Sequence, residues 1–575
     1  MPFVVGTARR GRALSLTPEE RSRHVHIVGV SGTGKSKLME AMIRRDIIAG
    51  RGLCLIDPHG TLADTIVEFC ASLGLAGLRR IHVLSPGDTN WTFGFNPLRL
   101  DGTTEPSARV DAMVNACAQV WGGENTANTP LLKKCLRAVF HVLAVRERTL
   151  LDSMELINST DARSTTRRTL TDNLPDYVFD SLWQEFNRLS RREFAEQFSS
   201  TNNRLIEFLS SPLVRRIVGQ REHALDFKKI MDNGEIVIVN LASRGSLSPD
   251  NARLIGTLLT SELFLLALAR DAQVAKRRPF YLYIDECYDF LTADIERMLD
   301  QTRKFGLHLV LAHQRLGQLR NRSEAIYNGV MTGGQTKIVF GGLDDDDADI
   351  MARHVFRDSF NLERPKRVLD KPIVVDEVPY WLESEATSDS EGTGTTTTES
   401  AGWTEASGTS AGLAESYRLN SGSFEQMGAA ESSGAFSAKG TSGGRSMSDS
   451  ASRSHAEMRG RSQTLKPVRV NMPTAVYSLE EELHLAIVKL RGLPKASAIM
   501  KRIGRPAIRL RTIEMKPCLV SPETVERFLE KVRVASPYLS PISIADAEIQ
   551  ARQSRIIGAQ PAGGSDDTSF WHETP

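Results

Sequence analysis

Residues 24–36 read HVHIVGVSGTGKS, an apolar run that leads directly into a glycine-rich turn ending in Lys-Ser. The turn matches the G-x-x-x-x-G-K-[ST] phosphate loop, whose glycines let successive backbone N–H groups face phosphate oxygens. The following residues, LMEAMIRRDIIAG, have the pattern of a helix whose N-terminal end would point its positive dipole at the same anion. The stretch therefore predicts a strand, a phosphate-binding loop and a helix. The candidate loop residues are Gly29, Val30, Ser31, Gly32, Thr33, Gly34, Lys35 and Ser36.

The last two residues of the loop carry its chemistry. Lys35 would neutralise the terminal phosphates of a nucleotide, and Ser36 would ligate Mg²⁺. The Lys-Ser ending also distinguishes this loop from the G-x-G-x-x-G turn of dinucleotide-binding folds. A dinucleotide-dependent oxidoreductase is therefore excluded by the loop itself.

Six further apolar runs rich in β-forming residues lie within the first 355 residues. Most of them are continuously hydrophobic rather than alternating, as expected for strands covered on both faces, and helix-period segments lie between them. This pattern predicts an α/β fold with a doubly wound, mostly parallel twisted sheet and helices on both faces. The runs cover residues 52–58, 80–86, 235–242, 280–286, 308–314 and 336–342.

Polar side chains end two of these predicted strands. Asp285 and Glu286 close the run FYLYIDE, and Gln314 closes HLVLAHQ. A strand buried on both sides would carry Asp285 to its C-terminal edge, where a carboxylate can hold the water shell of a metal ion. Glu286 would then polarise an attacking water, and Gln314 would contact the water or the γ-phosphate, since ligands bind outside the carboxyl ends of such sheets. The alternative is that all three are ordinary polar residues at solvated strand ends.

The first 383 residues divide into three predicted parts. Residues 1–104 would form the N-terminal half of the core and residues 231–383 its C-terminal half. Between them, residues 105–230 contain only helix-period segments, which predicts an inserted all-helical subdomain.

The remainder of the chain has a different composition. Residues 384–464 are so rich in Ser, Thr and Gly that they are predicted to be a disordered linker without a fold of its own. Residues 465–535 would form a small C-terminal element, in which Ser478 caps an amphipathic helix and Glu481 completes a capping box. Residues 536–575 are predicted to be a flexible tail.

Composition sets wider limits on function. The 575-residue chain has a net charge of +2, which neither requires nor excludes nucleic acid, since a basic surface can be offset by acidic residues elsewhere. Its six cysteines are scattered without a CxxC pair, so neither a disulfide framework nor a zinc cluster is expected. No apolar run approaches the roughly 20 residues that span a bilayer, and the N-terminus lacks the features of a signal peptide. We therefore expect a cytoplasmic protein without a membrane span.

Several of these motifs together resemble a known family. GVSGTGKS, LIDPHG (55–60), GFNPL (94–98), YLYIDE and RKFGLHLVLAHQ are similar to motifs of the HerA/FtsK superfamily of P-loop ATPases, and most similar to its TraG/TraD-like coupling proteins of type IV secretion and conjugation. The resemblance spans about residues 20–355 and, more weakly, 465–513. It implies a RecA-like motor domain that binds ATP and Mg²⁺, assembles into homo-hexamers and moves DNA. Membrane-bound coupling proteins carry N-terminal transmembrane helices, so the resemblance is to a soluble form.

The resemblance also implies roles for individual residues. Lys35 falls in the Walker A role, Ser36 and Asp285 in the metal-binding role, Glu286 in the catalytic role and Gln314 in the sensor role.

Other positions have competing interpretations. The resemblance places Asp57, in Asp-Pro-His-Gly, near the nucleotide. The alternative is that these residues form an ordinary proline turn without a functional role. Ring ATPases are expected to supply an arginine to the γ-phosphate of a neighbouring subunit. Arg303 is the candidate for this arginine, and Arg215 and Arg216 compete with it.

The histidines at 24, 26, 308 and 313 flank or lie in predicted strands, and most of them are expected to be structural.

Two functional hypotheses remain at this stage. The first is a Mg²⁺-dependent ATPase that couples hydrolysis to DNA translocation or transfer. The second is a nucleotide-switched scaffold, in which the Ser/Thr/Gly-rich segment and the C-terminal region recruit a protein partner and no DNA is moved. Stimulation of ATP hydrolysis by DNA would distinguish them.

Overall fold

The computed structural model describes the chain in stretches. The described residues form two compact units, one of residues up to 359 and from 483 onwards, the other of residues 365–482. The stretches are 3–8, 11–100, 102, 104–122, 130–157, 165–221, 224–242, 246–270, 277–359, 365–368, 373–392, 404–420, 423–440, 452–470 and 473–558.

The strands are β1 Phe3–Thr7, β2 Ala13–Leu16, β3 Val25–Val28, β4 Gly52–Asp57, β5 Ile81–Leu84, β6 Trp91–Phe93, β7 Ile236–Asn240, β8 Phe280–Ile284, β9 Leu307–His313, β10 Thr336–Phe340, β11 Pro365–Val368, β12 Ile373–Gly392, β13 Thr404–Asn420, β14 Ser423–Gly440, β15 Ser452–Val470, β16 Pro473–Val476, β17 Ser497–Lys501, β18 Ile508–Thr512 and β19 Leu539–Pro541.

The helices are α1 Pro18–Ser22, α2 Lys35–Ile48, α3 Thr61–Ser72, α4 Pro106–Trp121, α5 Pro130–Val145, α6 Ser153–Ile157, α7 Thr165–Thr171, α8 Tyr177–Arg188, α9 Arg191–Leu209, α10 Pro212–Gly219, α11 Phe227–Asn233, α12 Pro249–Leu268, α13 Ile295–Thr302, α14 Leu316–Arg322, α15 Glu324–Gly333, α16 Asp345–Phe356, α17 Leu479–Arg491, α18 Pro522–Ala535 and α19 Ile542–Gly558. Single 3₁₀ turns follow at Leu150–Asp152, Cys287–Asp289, Arg303–Phe305 and Arg357–Ser359.

An eleven-stranded sheet forms the centre of the first unit, in the order β2-β1-β18-β17-β10-β3-β9-β8-β4-β7-β5. The seven strands from β10 to β5 are all parallel to their neighbours. These seven strands lie within two residues of the runs predicted from the sequence. The expected RecA-like core, a mostly parallel sheet with helices on both faces, is confirmed, and the phosphate-loop strand β3 lies near its middle.

Both faces of the sheet are covered by helices, which explains the unbroken hydrophobic runs. In β4, Leu53 and Leu55 pack in one core together with residues of α2, α3 and α18. Cys54 and Ile56 point the other way and pack with residues of α4, α5 and α12. Successive strand residues alternate between the two faces of the sheet, and both faces are covered, so every residue of β4 is buried.

The predicted helical insertion is also present. Between β6 and β7 the chain forms α4 to α11, and the described residues from 94 to 235 include no strand. Trp183, Phe186 and Phe198 are fully buried in this part of the chain and contact one another through their aromatic rings. The insertion therefore has an aromatic core of its own.

The C-terminal region differs from the expectation of a small separate element and a flexible tail. The antiparallel strands β17 and β18 extend the main sheet between β10 and β1. Further on, β19 pairs with β6, and α19 contacts α10. Residues 483–558 thus belong to the first unit because their strands complete its sheet. The rest of the expected tail, 559–575, lies outside the described residues.

The second unit contains paired antiparallel strands. β12 pairs with β15, β13 with β14 and β11 with β16. The structure thus differs from the prediction that 384–464 lack a fold, although 393–403, 421–422 and 441–451 lie outside the described residues. Antiparallel pairing satisfies backbone N–H and C=O groups whatever the side chains are, so a Ser/Thr/Gly composition does not prevent it.

Helix α17 begins as predicted. The Ser478 hydroxyl accepts a hydrogen bond from the backbone N–H of Glu481, and the Glu481 carboxylate accepts one from the backbone N–H of Ser478. This reciprocal pair is the capping box expected from the sequence.

One helix among the described residues, α12, is long and apolar enough to cross a membrane. In the first unit 72% of its apolar window is buried, as in the core helix of a folded domain.

Candidate functional site

The phosphate loop joins the end of β3 to the start of α2. Gly34 occupies the N-cap position with φ of 122°, a conformation that side-chain-bearing residues rarely adopt. Gly29 lies against β10, where an added Cβ would come within 2.5 Å of the Phe340 Cβ. The sequence folds into this turn because glycine stands at the positions that need unusual backbone angles or close approach. The first turn of α2 therefore faces the space that the loop encloses.

Lys35 and Ser36 are the first two residues of α2. Lys35 is buried and close enough to Asp285 and Glu286 to lower the pKa of both carboxyl groups. The Ser36 hydroxyl donates a hydrogen bond of 3.3 Å to Oδ2 of Asp285. A hydroxyl and a carboxylate are thus juxtaposed as oxygen ligands, of the kind that Mg²⁺ prefers.

Asp285 follows β8 directly and is buried. Burial raises its pKa, and the neighbouring Asp57 carboxylate raises it further, whereas Lys35 and the hydrogen bond from Ser36 lower it. A cation at this position would stabilise the ionised form and relieve the repulsion between the two carboxylates. The electrostatics of the site therefore fit a metal ion.

Glu286 occupies a strained backbone conformation at the end of the same strand. Its φ is 46° and its ψ 53°, in the left-handed region that costs a residue with a Cβ on the order of 1 kcal/mol. Its side chain is buried, and burial raises its pKa, while a hydrogen bond from Gln314 lowers it. The Oε2 atom is buried without any hydrogen-bond partner. A buried carboxylate oxygen without a partner is unusual in a folded protein and requires an explanation.

Gln314 directly follows β9, the strand next to β8. Its Nε2 donates a hydrogen bond of 2.7 Å to Oε1 of Glu286. The structure thus brings together the phosphate loop, Asp285, Glu286 and Gln314 at the carboxyl edge of three adjacent parallel strands. These residues were assigned to a common site from the sequence, and the fold gives them that proximity.

Asp57 is the last residue of β4, at the same edge of the sheet, and organises the turn after it. Its Oδ1 accepts the backbone N–H of His59, and its Oδ2 accepts that of Ala63, each at 2.9 Å. His59 in turn lies close enough to Glu286 to lower the pKa of that carboxyl group. Asp57 therefore serves as the cap of the turn and also contributes negative charge beside Asp285.

A cavity of about 230 Å³ opens beside these side chains. Its lining residues are Ser36, Lys37, Glu40, Asp57, His59, Thr61, Leu62, Thr65 and Asp285. Among the described residues no group of three or more His, Cys, Asp or Glu side chains is arranged to hold a metal by itself. Any metal at Ser36 and Asp285 would consequently need ligands from phosphate or water.

The three candidate arginines are not part of this site. Arg303 is exposed in the turn before β9, at the opposite end of that strand from Gln314. Arg216 forms a two-point ion pair with Asp546, and Arg215 donates to the backbone carbonyls that end α9. The expectation that Arg303 reaches the site of a neighbouring subunit stays a prediction, because β9 separates Arg303 by its whole length from Gln314 of the same chain.

Two features beside the loop were not recognised as functional from the sequence. His26 and His313 contact each other behind Gln314, although the sequence indicated only that they lie in strands. Ala496, which precedes β17, donates its backbone N–H to the carbonyl of Thr33 at 2.9 Å. Nothing in the sequence signals this contact, since alanine has no characteristic preference for it.

The fold and the site define a P-loop nucleotide-binding protein with a RecA-like core. No family model matches the chain, and no curated protein matches it either.

Solved structures do resemble it. The conjugative coupling protein TrwBdeltaN70 in its unbound form is 15% identical, with a TM-score of 0.47 and 88% of each chain covered. The plasmid coupling protein TrwB in complex with ADP and Mg²⁺ is 13% identical, with a TM-score of 0.47, covering 91% of this chain and 97% of that one. VirB4 of Thermoanaerobacter pseudethanolicus is 16% identical, with a TM-score of 0.37, covering 61% of this chain and 87% of that one.

Proposed function

We propose that the protein is a Mg²⁺-dependent ATPase that couples hydrolysis to the translocation or transfer of DNA. The observation that carries the ATPase half is the meeting of a phosphate loop with two hydrogen-bonded pairs, Ser36 with Asp285 and Gln314 with Glu286. Asp285 and Glu286 follow β8, and Gln314 follows the neighbouring β9, at the edge where α/β sheets bind ligands.

The residues present fit ATP with Mg²⁺. The loop and the N-terminal end of α2 would bind the phosphates, with the ammonium of Lys35 neutralising their charge. Ser36 and Asp285 would hold Mg²⁺, which when bound offsets the negative charge that develops on the β- and γ-phosphates.

The hydrolytic role falls to Glu286. Its free Oε2 would accept a proton from water and orient the oxygen towards the γ-phosphate, while Gln314 holds the other carboxylate oxygen in place. The raised pKa of the carboxyl group improves its match to a proton acceptor working near neutral pH.

The DNA half of the proposal rests on the motif resemblance to TraG/TraD-like coupling proteins. Assembly into a homo-hexamer is part of it, and the position of Arg303 supports an arginine supplied between subunits. The seven residues of β9 span roughly 20 Å at about 3.3 Å per residue, so a side chain at the start of β9 lies too far from Gln314 to act in the site of its own subunit. All six cysteines are free thiols, which supports location in the reducing cytoplasm.

A nucleotide-switched scaffold remains the second candidate, and one contact favours it. The hydrogen bond between Ala496 and Thr33 links the phosphate loop to the segment that follows α17. A change in the loop on nucleotide binding would therefore be transmitted to the C-terminal region without requiring movement of DNA.

Steady-state ATP hydrolysis with and without duplex DNA at moderate salt tests the proposal. We expect stimulation by DNA, together with loss of about 100-fold or more of the activity in Lys35→Ala. Unchanged hydrolysis in Lys35→Ala would refute the assignment of the site. Activity that depends on Lys35 but not on DNA would favour the scaffold.

A further inference from the structure

Two histidines lie directly behind the catalytic edge. His26 of β3 and His313 of β9 are both fully buried on neighbouring parallel strands. Their Nε2 atoms are 2.7 Å apart, and their ring planes differ by only 14°. A contact this short between two nitrogens requires that one donates a proton and the other accepts it.

The partners of the rings determine which nitrogen donates. Nδ1 of His313 is 3.0 Å from the backbone carbonyl oxygen of Arg315, which accepts only, so His313 carries its proton on Nδ1. In a neutral ring Nε2 of His313 is then the acceptor, and Nε2 of His26 is the donor. This leaves the lone pair on Nδ1 of His26 without a partner, and that atom is indeed buried and unpaired.

Both rings are neutral in this environment. Burial, together with the nearby Lys35, lowers the pKa of His313 to about 4, although the hydrogen bond with the Arg315 carbonyl acts in the opposite direction. Burial also brings the pKa of His26 well below its usual range, with additional lowering by His313, Lys337 and His354. The tautomers deduced above therefore hold at neutral pH.

The pair is connected to both halves of the nucleotide site. The backbone carbonyl of His313 accepts a hydrogen bond of 3.4 Å from the N–H of Gly29, the first residue of the phosphate loop. The ring of His313 holds the carbonyl of Arg315, so the residues on either side of Gln314 are both fixed. The backbone of the turn that carries Gln314 is therefore hydrogen-bonded on both sides of this residue.

We propose that His313 is a positioning residue for hydrolysis, which holds Gln314 on Glu286 through the hydrogen bond from its Nδ1 to the Arg315 carbonyl. In the hydrogen-bonded series His26, His313 and the Arg315 carbonyl, His26 donates to Nε2 of His313 and so keeps the proton of His313 on Nδ1. The inference rests on the proposed ATPase function. Neither histidine contacts the reacting atoms. Their contribution is to fix the turn that carries the carboxamide, and misplacement of a catalytic group by about 1 Å can cost a large factor in rate.

Two substitutions at one position separate this role from simple packing. In His313→Asn the side-chain amide nitrogen takes the position of Nδ1 and still donates a hydrogen bond to the Arg315 carbonyl. In His313→Gln the side-chain amide takes the position of Nε2. It still provides a hydrogen-bond partner for His26, but no side-chain group now donates to the Arg315 carbonyl. We expect kcat for ATP to stay within about threefold of the wild type in His313→Asn and to fall about tenfold or more in His313→Gln, with KM little changed in both.

Thermal unfolding of the same two variants is the control. A packing role would lower stability and activity in parallel, whichever ring nitrogen is mimicked. Equal kcat values in the two variants, or losses that follow the fall in Tm, would overturn the proposal.

A second measurement requires no turnover. Ring ¹⁵N chemical shifts of histidine-labelled protein, with His26→Gln and His313→Asn used for assignment, report the tautomers directly. We expect an Nδ1–H tautomer for His313 and an Nε2–H tautomer for His26. The opposite tautomers would refute the hydrogen-bonded series. If the wild type binds ATP without hydrolysing it, the proposed function fails, whereas the tautomers still test the series by themselves.

Discussion

Gln314 and Glu286, 28 residues apart in the chain, meet at the ends of two neighbouring strands, where the carboxamide donates to Oε1 of the carboxylate across 2.7 Å. This hydrogen bond occupies one carboxylate oxygen and leaves Oε2 as the buried acceptor without a partner. Because Nε2 of Gln314 is the donor here, its own carbonyl oxygen also remains available as an acceptor. The pair thus leaves one carboxylate oxygen and one carboxamide oxygen as acceptors.

The first prediction concerns the free carboxylate oxygen. Glu286→Gln keeps the shape of the side chain but removes its ability to accept a proton as a base. We expect ATP to bind as in the wild type and kcat to fall on the order of 100-fold or more. Equilibrium binding of ATP together with single-turnover hydrolysis would measure the two effects separately. Normal turnover by the variant would remove Glu286 from the mechanism.

The second prediction concerns the pH dependence of kcat. Gln314 lowers the pKa of Glu286, against burial and Asp285, which raise it. Gln314→Ala removes this effect, so the carboxyl group should take up its proton at higher pH. Since the ionised form is the active one, the acid limb of the kcat profile is expected to move to higher pH, and kcat at neutral pH to fall about tenfold.

Gln318→Ala is the control for this experiment. Gln318 accepts the backbone N–H of Arg315 in the same turn but makes no contact with Glu286. Its profile should keep the wild-type acid limb. A Gln314→Ala profile that coincides with that of Gln318→Ala would show that the carboxamide does not tune Glu286.

Hydrophobic pattern was sufficient to predict the seven parallel strands of the core. Strands such as β4 are buried on both faces, so residues on both faces contribute to an unbroken hydrophobic run. The two strands β17 and β18 could not be placed in the same way. β18 reads IRLRT with Arg509 and Arg511 exposed, and it lies more than 160 residues from β10 in the chain, so no local pattern specifies its position in the sheet.

The candidate site was predictable to the extent that its chemistry is carried by side-chain type. The phosphate loop, the acidic pair and Gln314 could be predicted for this reason. Contacts that depend on tertiary placement were not predictable, such as the pairing of His26 with His313. The position of Arg303 is of the same kind, because only the fold shows that β9 separates it from Gln314 of its own chain.

The third prediction concerns stability. Burial raises the pKa of Glu286 in the folded protein, so the ionised carboxylate opposes folding. The folded state binds the proton more tightly than the unfolded chain, which means that stability is greatest below the unfolded pKa and decreases as pH rises through the folded pKa. Glu286→Gln has no carboxyl group to ionise, so its stability does not decrease in this way. Without nucleotide, the variant is therefore expected to have a higher Tm than the wild type at neutral pH.

Thermal unfolding across pH, without nucleotide or Mg²⁺, checks this expectation. The exposed Glu296 of α13 supplies the matched control Glu296→Gln, which should leave Tm and its pH dependence unchanged. A wild type that is as stable as Glu286→Gln at neutral pH would indicate that the buried carboxylate carries no penalty.

The fourth prediction concerns the contact between Ala496 and the phosphate loop. Ala496 has φ of 60° and donates its N–H to the Thr33 carbonyl. Ala496→Pro removes that N–H and cannot adopt the required φ, since proline is restricted to about −65°. We expect the loop to lose its support and the affinity for a non-hydrolysable ATP analogue to fall about tenfold, which corresponds to about 1.4 kcal/mol and is the typical cost of one lost hydrogen bond.

Two further variants show whether the effect is specific to the loop. Ala496→Gly keeps the N–H and accepts a positive φ without strain, so it should bind the analogue as the wild type does and be at least as stable. Glu147→Pro makes the same backbone change at φ of 51° in the helical insertion, far along the chain from the nucleotide site. This control should lower Tm and leave affinity unchanged. Wild-type affinity in Ala496→Pro would mean that the Thr33 contact does not support the loop, and the C-terminal segment would then have no direct influence on nucleotide binding.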